Sequence, residues 1–258
     1  MSADPSRDRR LALTGASAPV ALGVALGAGE ASVLARTAAV VAVALCLIAG
    51  RAGPRAYTLQ WYAAGVVAGV TALFPSWPIV LVGLVVLVAV PGLRELLRPA
   101  PIGARLVATW GVVTGLSAVL AYAWWRWANK SASYDFLPAW VPDQKVWIAV
   151  AVVVGALANS FYEELLWRGA LLVGPRRSYG TVLASSVGFG LAHANGLPDG
   201  LAGVLLTFTL GLVLCWVVSH QKGRLPLAIA THVICDIVLL GAVSGLFTGS
   251  EASTWSWA

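Results

Sequence analysis

Charge is what this sequence has least of. Asp, Glu, Lys and Arg make up 11% of its 258 residues and hydrophobic residues 59%, whereas ordinary soluble domains carry about 25% charged residues. With a mean hydropathy of +0.82, that deficit excludes a soluble domain and implies an all-α, polytopic membrane bundle. Cysteine is scarce too. Cys46, Cys215 and Cys235 stand far apart inside apolar runs with no CxxC spacing, which reads as buried free thiols and excludes a redox pair or thiolate metal site. Neither GxSxG nor HExxH occurs, so the nucleophile elbow of serine hydrolases and the usual zinc-protease helix are both missing. The net charge is +6, but no basic patch is interleaved with aromatics. Nucleic acid is therefore set aside, and the loop cations read as topology signals and contacts to membrane lipids.

What the chain has in quantity is apolar segments. After a short basic start, Met1–Arg10, spans are expected at Leu11–Gly29, Ser32–Gly50, Ala56–Phe74, Pro78–Leu93, Leu106–Trp125, Val146–Leu172, Val182–Ala194, Leu201–Ser219 and Leu225–Phe247. The first is diluted by Gly, Ser and Thr; it reads as a marginal membrane helix, with a signal peptide as the alternative. Many of the twelve tryptophans sit near segment ends, as interfacial belts require. Arginine and lysine fall in every second connection: Arg7, Arg9 and Arg10; Arg51 and Arg55; Arg94, Arg98 and Arg105; Arg176 and Arg177; Lys222 and Arg224. The connections between them hold Glu30 with Arg36, the uncharged Pro75–Pro78 turn, the mixed Arg126–Lys145 loop, and Asp199. Nine spans with a cytoplasmic N-terminus fit this alternation. If Leu11–Gly29 lies on the membrane instead, eight remain and the N-terminus moves outside. The organisation expected is one integral-membrane domain: helices of unassigned role over residues 1–145, a core over 146–247 and a tail over 248–258.

Against this background Asn159–Ala170, NSFYEELLWRGA, places two carboxylates and an arginine within six residues. Each ionised group at the centre of a membrane helix costs roughly 2.5–3.5 kcal/mol. Ser160, Glu164 and Arg168 share one stripe of the helix, and Asn159, Glu163 and Trp167 share the next. Glu164 and Arg168 therefore suit an i,i+4 ion pair, while Glu163 needs a partner from another helix. Two later helices offer one: Phe189 and His193 share a face in FGLAH, and His232 and Asp236 share a face in HVICD. At 1.5 Å per residue, Glu163, His193 and Asp236 lie about 18–21 Å from the basic loops and His232 about 12 Å. The three helices thus bring these groups to similar depth, with His193 as the expected partner of Glu163. His220, in a basic loop with Lys222 and Arg224, reads as a solvated residue.

A buried glutamate beside a histidine can hold and deprotonate a water. A second histidine with an aspartate beside it can donate to a developing oxyanion. EELLWR, FGLAH and HVICD, in that order on separate apolar helices, resemble the EExxxR, FxxxH and HxxxN/D motifs of the CAAX-protease and bacteriocin-processing (CPBP, Abi-type) family. The resemblance covers residues 146–247 and implies an intramembrane endopeptidase in a bacterial cell (inner) membrane, with its active site between helices of the C-terminal half. Its substrate would be a protein or peptide tail, with or without a lipid attached, cleaved near its C-terminus. It further implies that Glu163 and His193 activate the water and that His232 and Asp236 form the oxyanion site. Glu164 and Arg168 would be the supporting pair, with Phe189 and Asn159 assisting. The expected mechanism is the metal-free glutamate type; the alternative is a zinc ion on Glu163, His193 and His232, which would leave a fourth position for water.

Two readings from other classes stay open. A non-catalytic regulatory or immunity partner would keep the fold without the chemistry. A proton-coupled transporter would also place Glu, His and Asp within the membrane, but it predicts internal repeats that the two halves of this chain do not show.

Overall fold

The computed structural model describes residues 5–28, 32–52, 55–74, 76–127, 145–172 and 178–247. The expectations that concern Glu30, Pro75, Arg176, Arg177, most of the Arg126–Lys145 loop and the 248–258 tail lie outside the described residues, as do those on the side chains of Arg7, Arg9, Arg10 and Arg55. Ten α-helices follow one another among the described residues: α1 (Pro5–Gly27), α2 (Val33–Ala52), α3 (Arg55–Leu73), α4 (Trp77–Ala89), α5 (Pro91–Leu96), α6 (Ala104–Trp127), α7 (Lys145–Glu164), α8 (Tyr179–Ala192), α9 (Gly200–His220) and α10 (Pro226–Val243). A π-helical turn, Leu165–Ala170, continues α7.

Local chemistry explains where these helices start and stop. The stretch expected as one span over Pro78–Leu93 is broken, because Val90 takes extended dihedrals (φ −74°, ψ 114°) ahead of Pro91. Proline disfavours helical geometry in the residue before it and has no N–H to give the preceding turn. The short helix α5 that follows is tied to the later chain. Leu225 N–H donates to the Leu96 carbonyl at 2.8 Å, and the Arg224 guanidinium donates to the Glu95 carbonyl, so carbonyls left over at the end of α5 are satisfied at the entry to α10. Helix α8 opens with a capping box: Ser178 Oγ accepts from Thr181 N–H, and Thr181 Oγ1 accepts from Ser178 N–H.

In the π turn the Leu171 N–H donates to the Leu166 carbonyl at 3.0 Å, five residues back. Such turns are rare inside helices and concentrate at functional sites. All six of its residues are buried. Ser185 Oγ from α8 donates to the Trp167 carbonyl at 3.0 Å, giving that group an acceptor role outside its own helix.

Among the described residues five helices are long and apolar enough to cross a membrane: Val33–Arg51, Ala104–Trp127, Lys145–Ala170, Gly200–His220 and Pro226–Val243. Shorter apolar stretches are Ala16–Gly27, Trp77–Ala89 and Tyr179–Ala192. The outer surface agrees: along α6, Val112, Leu116 and Val119 are each 60% or more exposed, a degree of apolar exposure that suits hydrocarbon rather than water. Inside, α1, α2 and α3 pack in sequence, α8 lies against both α1 and α9, and α10 lies against both α6 and α7. The α1–α8 contact is backbone on backbone. A Cβ on Gly23 would strike the Gly188 carbonyl, and one on Gly188 would strike the Pro19 carbonyl. Small residues of this kind let helices associate where lipid removes the hydrophobic drive. The Asn195 side-chain amide adds a 2.6 Å bond to the Gly27 carbonyl.

Candidate active site

The polar residues of α7 point into the junction with α8 and α10. Glu164 and Arg168 form the ion pair that their spacing predicts, Arg168 Nη1 to Glu164 Oε1 at 2.9 Å, with both side chains 0% exposed. Glu164 Oε1 has a second partner as well. His232 Nδ1–H donates to it at 2.9 Å, so this carboxylate joins α7 to α10. Room for the guanidinium comes partly from Gly211 on α9, where an added Cβ would stand 3.3 Å from Arg168 Nη2. The other face of Arg168 is aromatic: its Cζ lies 4.2 Å from the centre of the Phe189 ring, a cation–π contact strengthened by burial.

The same imidazole faces two more carboxylates. His232 Nε2 lies 3.4 Å from Glu163 Oε2 and 3.5 Å from Asp236 Oδ1. Glu163 Oε2 is buried and has no hydrogen-bond partner among the protein atoms, so its contact with His232 is electrostatic rather than an aligned hydrogen bond. Asp236 is held from the side, because Asn159 Nδ2 and Ser160 Oγ on α7 both donate to its Oδ2, at 3.2 and 3.1 Å. A carboxylate that accepts two such bonds is fixed in orientation.

His193 is the last piece. It sits at the C-terminal cap of α8, where its N–H reaches back to Gly190 and Leu191, and its ring Nδ1–H donates to the Phe189 carbonyl at 2.9 Å. That bond keeps a proton on Nδ1, so that in the neutral ring Nε2 is the acceptor. Phe189 is fully buried among these groups. Its ring meets His193, His232 and Trp167 edge-on, with centroids 4.9, 5.7 and 5.9 Å apart.

All eight residues singled out from the sequence therefore gather at one junction, with one rearrangement of partners. Glu163 is paired with His232 and not with His193; no hydrogen bond or ion pair joins Glu163 to His193. Residue counting along helices gives depth but not rotation about each axis; α8 is turned so that His193 bonds the Phe189 carbonyl and the Phe189 ring lies against both histidines. Ser160 was legible on the Glu164–Arg168 stripe, yet its bond to Asp236 has no signal in the sequence. Equally unmarked is Thr231, buried beside His232. It receives a 2.8 Å hydrogen bond from Trp110 Nε1 and lies 3.0 Å from Thr114 Oγ1, both on α6.

A cavity of about 220 Å³ opens beside the histidines. His193, His232 and Asp236 border it on one side, and mainly apolar residues of α6 and α9 on the other. Leu120 and Leu205 line it while remaining 50% and 56% exposed, so its mouth lies between α6 and α9 on the apolar outer face. Among the described residues no three of His, Cys, Asp and Glu are grouped to hold a metal; of the residues a zinc ion would need, Glu163 Oε2 and His232 Nε2 face each other, and His193 Nδ1 is taken by the Phe189 carbonyl.

Residues 145–238 match the family model described as Rce1-like, type II CAAX prenyl endopeptidase. This segment is an Rce1-like domain, in keeping with the family that the three motifs resemble. It begins with α7 and takes in Asn159, Glu163, Glu164, Arg168, Phe189, His193, His232 and Asp236. Helices α1 to α6 lie outside it. No curated protein and no solved structure matches the chain. The apolar helices, together with the match of this segment to a membrane-protease family, point to an integral membrane protein.

Proposed function

We propose that the protein is an intramembrane endopeptidase that hydrolyses a peptide bond near the C-terminus of a membrane-associated protein or peptide. The observation that carries this reading is the unpartnered, buried Oε2 of Glu163 beside the His232 imidazole, at a junction whose two histidines border a cavity. In this proposal Glu163 is the general base. A water held against Oε2, with His193 Nε2 as a second acceptor, loses its proton to the glutamate as its oxygen attacks the carbonyl carbon. His232 Nε2–H donates to the oxyanion that forms. When the C–N bond breaks, the proton held by Glu163 passes to the departing amine.

The rigid side bonding of Asp236 by Asn159 and Ser160 supports a positioning role for this residue, which holds His232 rather than donating to the oxyanion itself. Glu164 and Arg168 support the site by balancing buried charge and anchoring the other nitrogen of His232. None of these steps is routed through a metal. The nine-span arrangement with a cytoplasmic N-terminus belongs to the same proposal, with α1, α3, α4 and α8 completing the five longer spans.

The test is cleavage of peptide tails by purified protein in detergent. Glu163→Gln is expected to lower the cleavage rate by about 10²–10⁴-fold while leaving the unfolding midpoint near that of the wild type. Equal cleavage by the two proteins would place catalysis elsewhere.

A further inference from the structure

The cavity beside the histidines is walled in part by a helix that lies outside the matched segment. Ser117, Leu120 and Ala121 of α6 line it together with Leu206 of α9 and Leu239 of α10. This wall has a fixed register. Trp110 Nε1 donates to Thr231 Oγ1 at 2.8 Å and to the Leu227 carbonyl at 3.2 Å, and Thr114 Oγ1 lies 3.0 Å from the same threonine hydroxyl. Thr231 is the residue before His232, so α6 is tied to the helix of the site immediately next to the imidazole. One to two turns further along α6, the helix presents small side chains, Ser117 and Ala121, towards the cavity. Its neighbours Leu120 and Trp124 are large. Ser117 and Ala121 are thus the small residues that α6 contributes to the lining, beside the larger Leu120.

We propose that α6 is the specificity wall of the protease, and that this cavity takes one large apolar side chain of the substrate, adjacent to the bond that is cut, with Ala121 and Ser117 setting its size. The inference rests on the proteolytic reading above. Volume and lining carry it. A cavity of about 150 Å³ lined by Leu, Ile and Phe is large enough for a benzene ring, so about 220 Å³ holds a leucine- or phenylalanine-sized group. The wall opposite the histidines is mainly aliphatic and offers no charge to a polar side chain. Continuity with His193, His232 and Asp236 puts the occupant next to the reacting carbonyl. The mouth between Leu120 and Leu205 admits it from the apolar face.

Two measurements on the full-length protein in detergent separate this inference from the activity on which it rests. The first compares cleavage of peptides that differ only in carrying Ala, Leu or Phe beside the scissile bond. Wild type is expected to prefer Leu and Phe. In Ala121→Leu, and separately in Ser117→Leu, the Leu-to-Ala cleavage ratio should fall by about tenfold, the size of effect that a methylene or two has in an apolar pocket. A ratio unchanged in both variants overturns the pocket even if every peptide is cleaved. The second measurement needs no turnover: a photo-leucine-bearing version of the peptide is cross-linked to wild type and to Glu163→Gln, and the labelled residues are mapped by mass spectrometry. Labels on α6 and α9 that Ala121→Leu removes support the pocket, and they do so even if no peptide is cut, in which case the protease reading alone fails. Labels confined to other helices overturn it.

Discussion

Helices α1 to α3 are held together by close packing of small residues, whereas in the group α7 to α10 only α8 and α9 pack in that way, through Gly190 and Gly211, and α7 meets α10 through polar side chains. In the first group the buried residues are largely alanine, among them Ala18, Ala25, Ala39, Ala42, Ala49, Ala64 and Ala68, and close backbone approach does most of the work. In the second group α7 is joined to α10 by hydrogen bonds and ion pairs among Asn159, Ser160, Glu163, Glu164, His232 and Asp236. The two groups meet through small contacts: Gly23 on Gly188, Asn195 on Gly27, and Tyr162 Oη donating to Thr71 Oγ1 at 2.8 Å. The difference teaches a division of labour. Alanine and glycine packing holds helices at fixed distance without titratable groups, so every costly charge can be concentrated where it serves the site. Within the charged group Glu163 and Glu164 divide again: Glu164 Oε1 accepts from both Arg168 and His232, whereas Glu163 meets His232 only as an ion pair, and each carboxylate keeps a buried Oε2 without a hydrogen-bond partner.

The comparison can be broken at several points. The largest effect is the loss of about 10²–10⁴-fold in cleavage expected for Glu163→Gln with stability retained. Its neighbour should behave in the opposite sense. Arg168→Ala leaves the Glu164 carboxylate buried without its cation and is expected to cost about 3–5 kcal/mol of stability, read as a lowered unfolding midpoint in detergent. An unchanged midpoint would show that Arg168 is not needed for the fold. In the alanine-and-glycine group, Gly188→Leu should cost about 1–3 kcal/mol by overpacking against Pro19. Gly115→Leu on α6, where an added Cβ meets nothing within 4 Å, should leave the midpoint where it was. Asp236→Asn tests the positioning role. Activity is expected to fall about tenfold, as for other groups that orient a functional histidine, and complete loss would instead make Asp236 a participant in the reaction. The smallest loss is expected of Trp110→Phe, which removes the bonds to Thr231 and Leu227 and should cost about 0.5–1.5 kcal/mol in thermal unfolding.

How much of this the sequence disclosed depends on the kind of information. The Glu164–Arg168 pair follows from an i,i+4 spacing within one helix and is present as expected. The meeting of α7, α8 and α10 followed from depth, which residue counting measures well enough. The choice of partner did not. Whether Glu163 faces His193 or His232 depends on how each helix is turned about its axis, and that is decided by packing around Phe189. The break at Val90 had its cause in plain view at Pro91, but an apolar run on both sides of a proline reads as one span when hydropathy alone is followed. The contribution of α6 was invisible for another reason. Ser117 and Ala121 matter through the space they leave, and small residues in a helix that is otherwise apolar carry no mark of what they border.

The π turn at Leu165–Ala170 has one more consequence. Because all six residues are buried, this stretch has no side on which acyl chains can lie; protein is its entire solvent. The outer helices will tilt when the bilayer thickens or thins, as helices do to relieve mismatch, while the turn that carries Arg168 stays insulated from that adjustment. A change of bilayer composition should therefore leave the arrangement of its buried charges as it is.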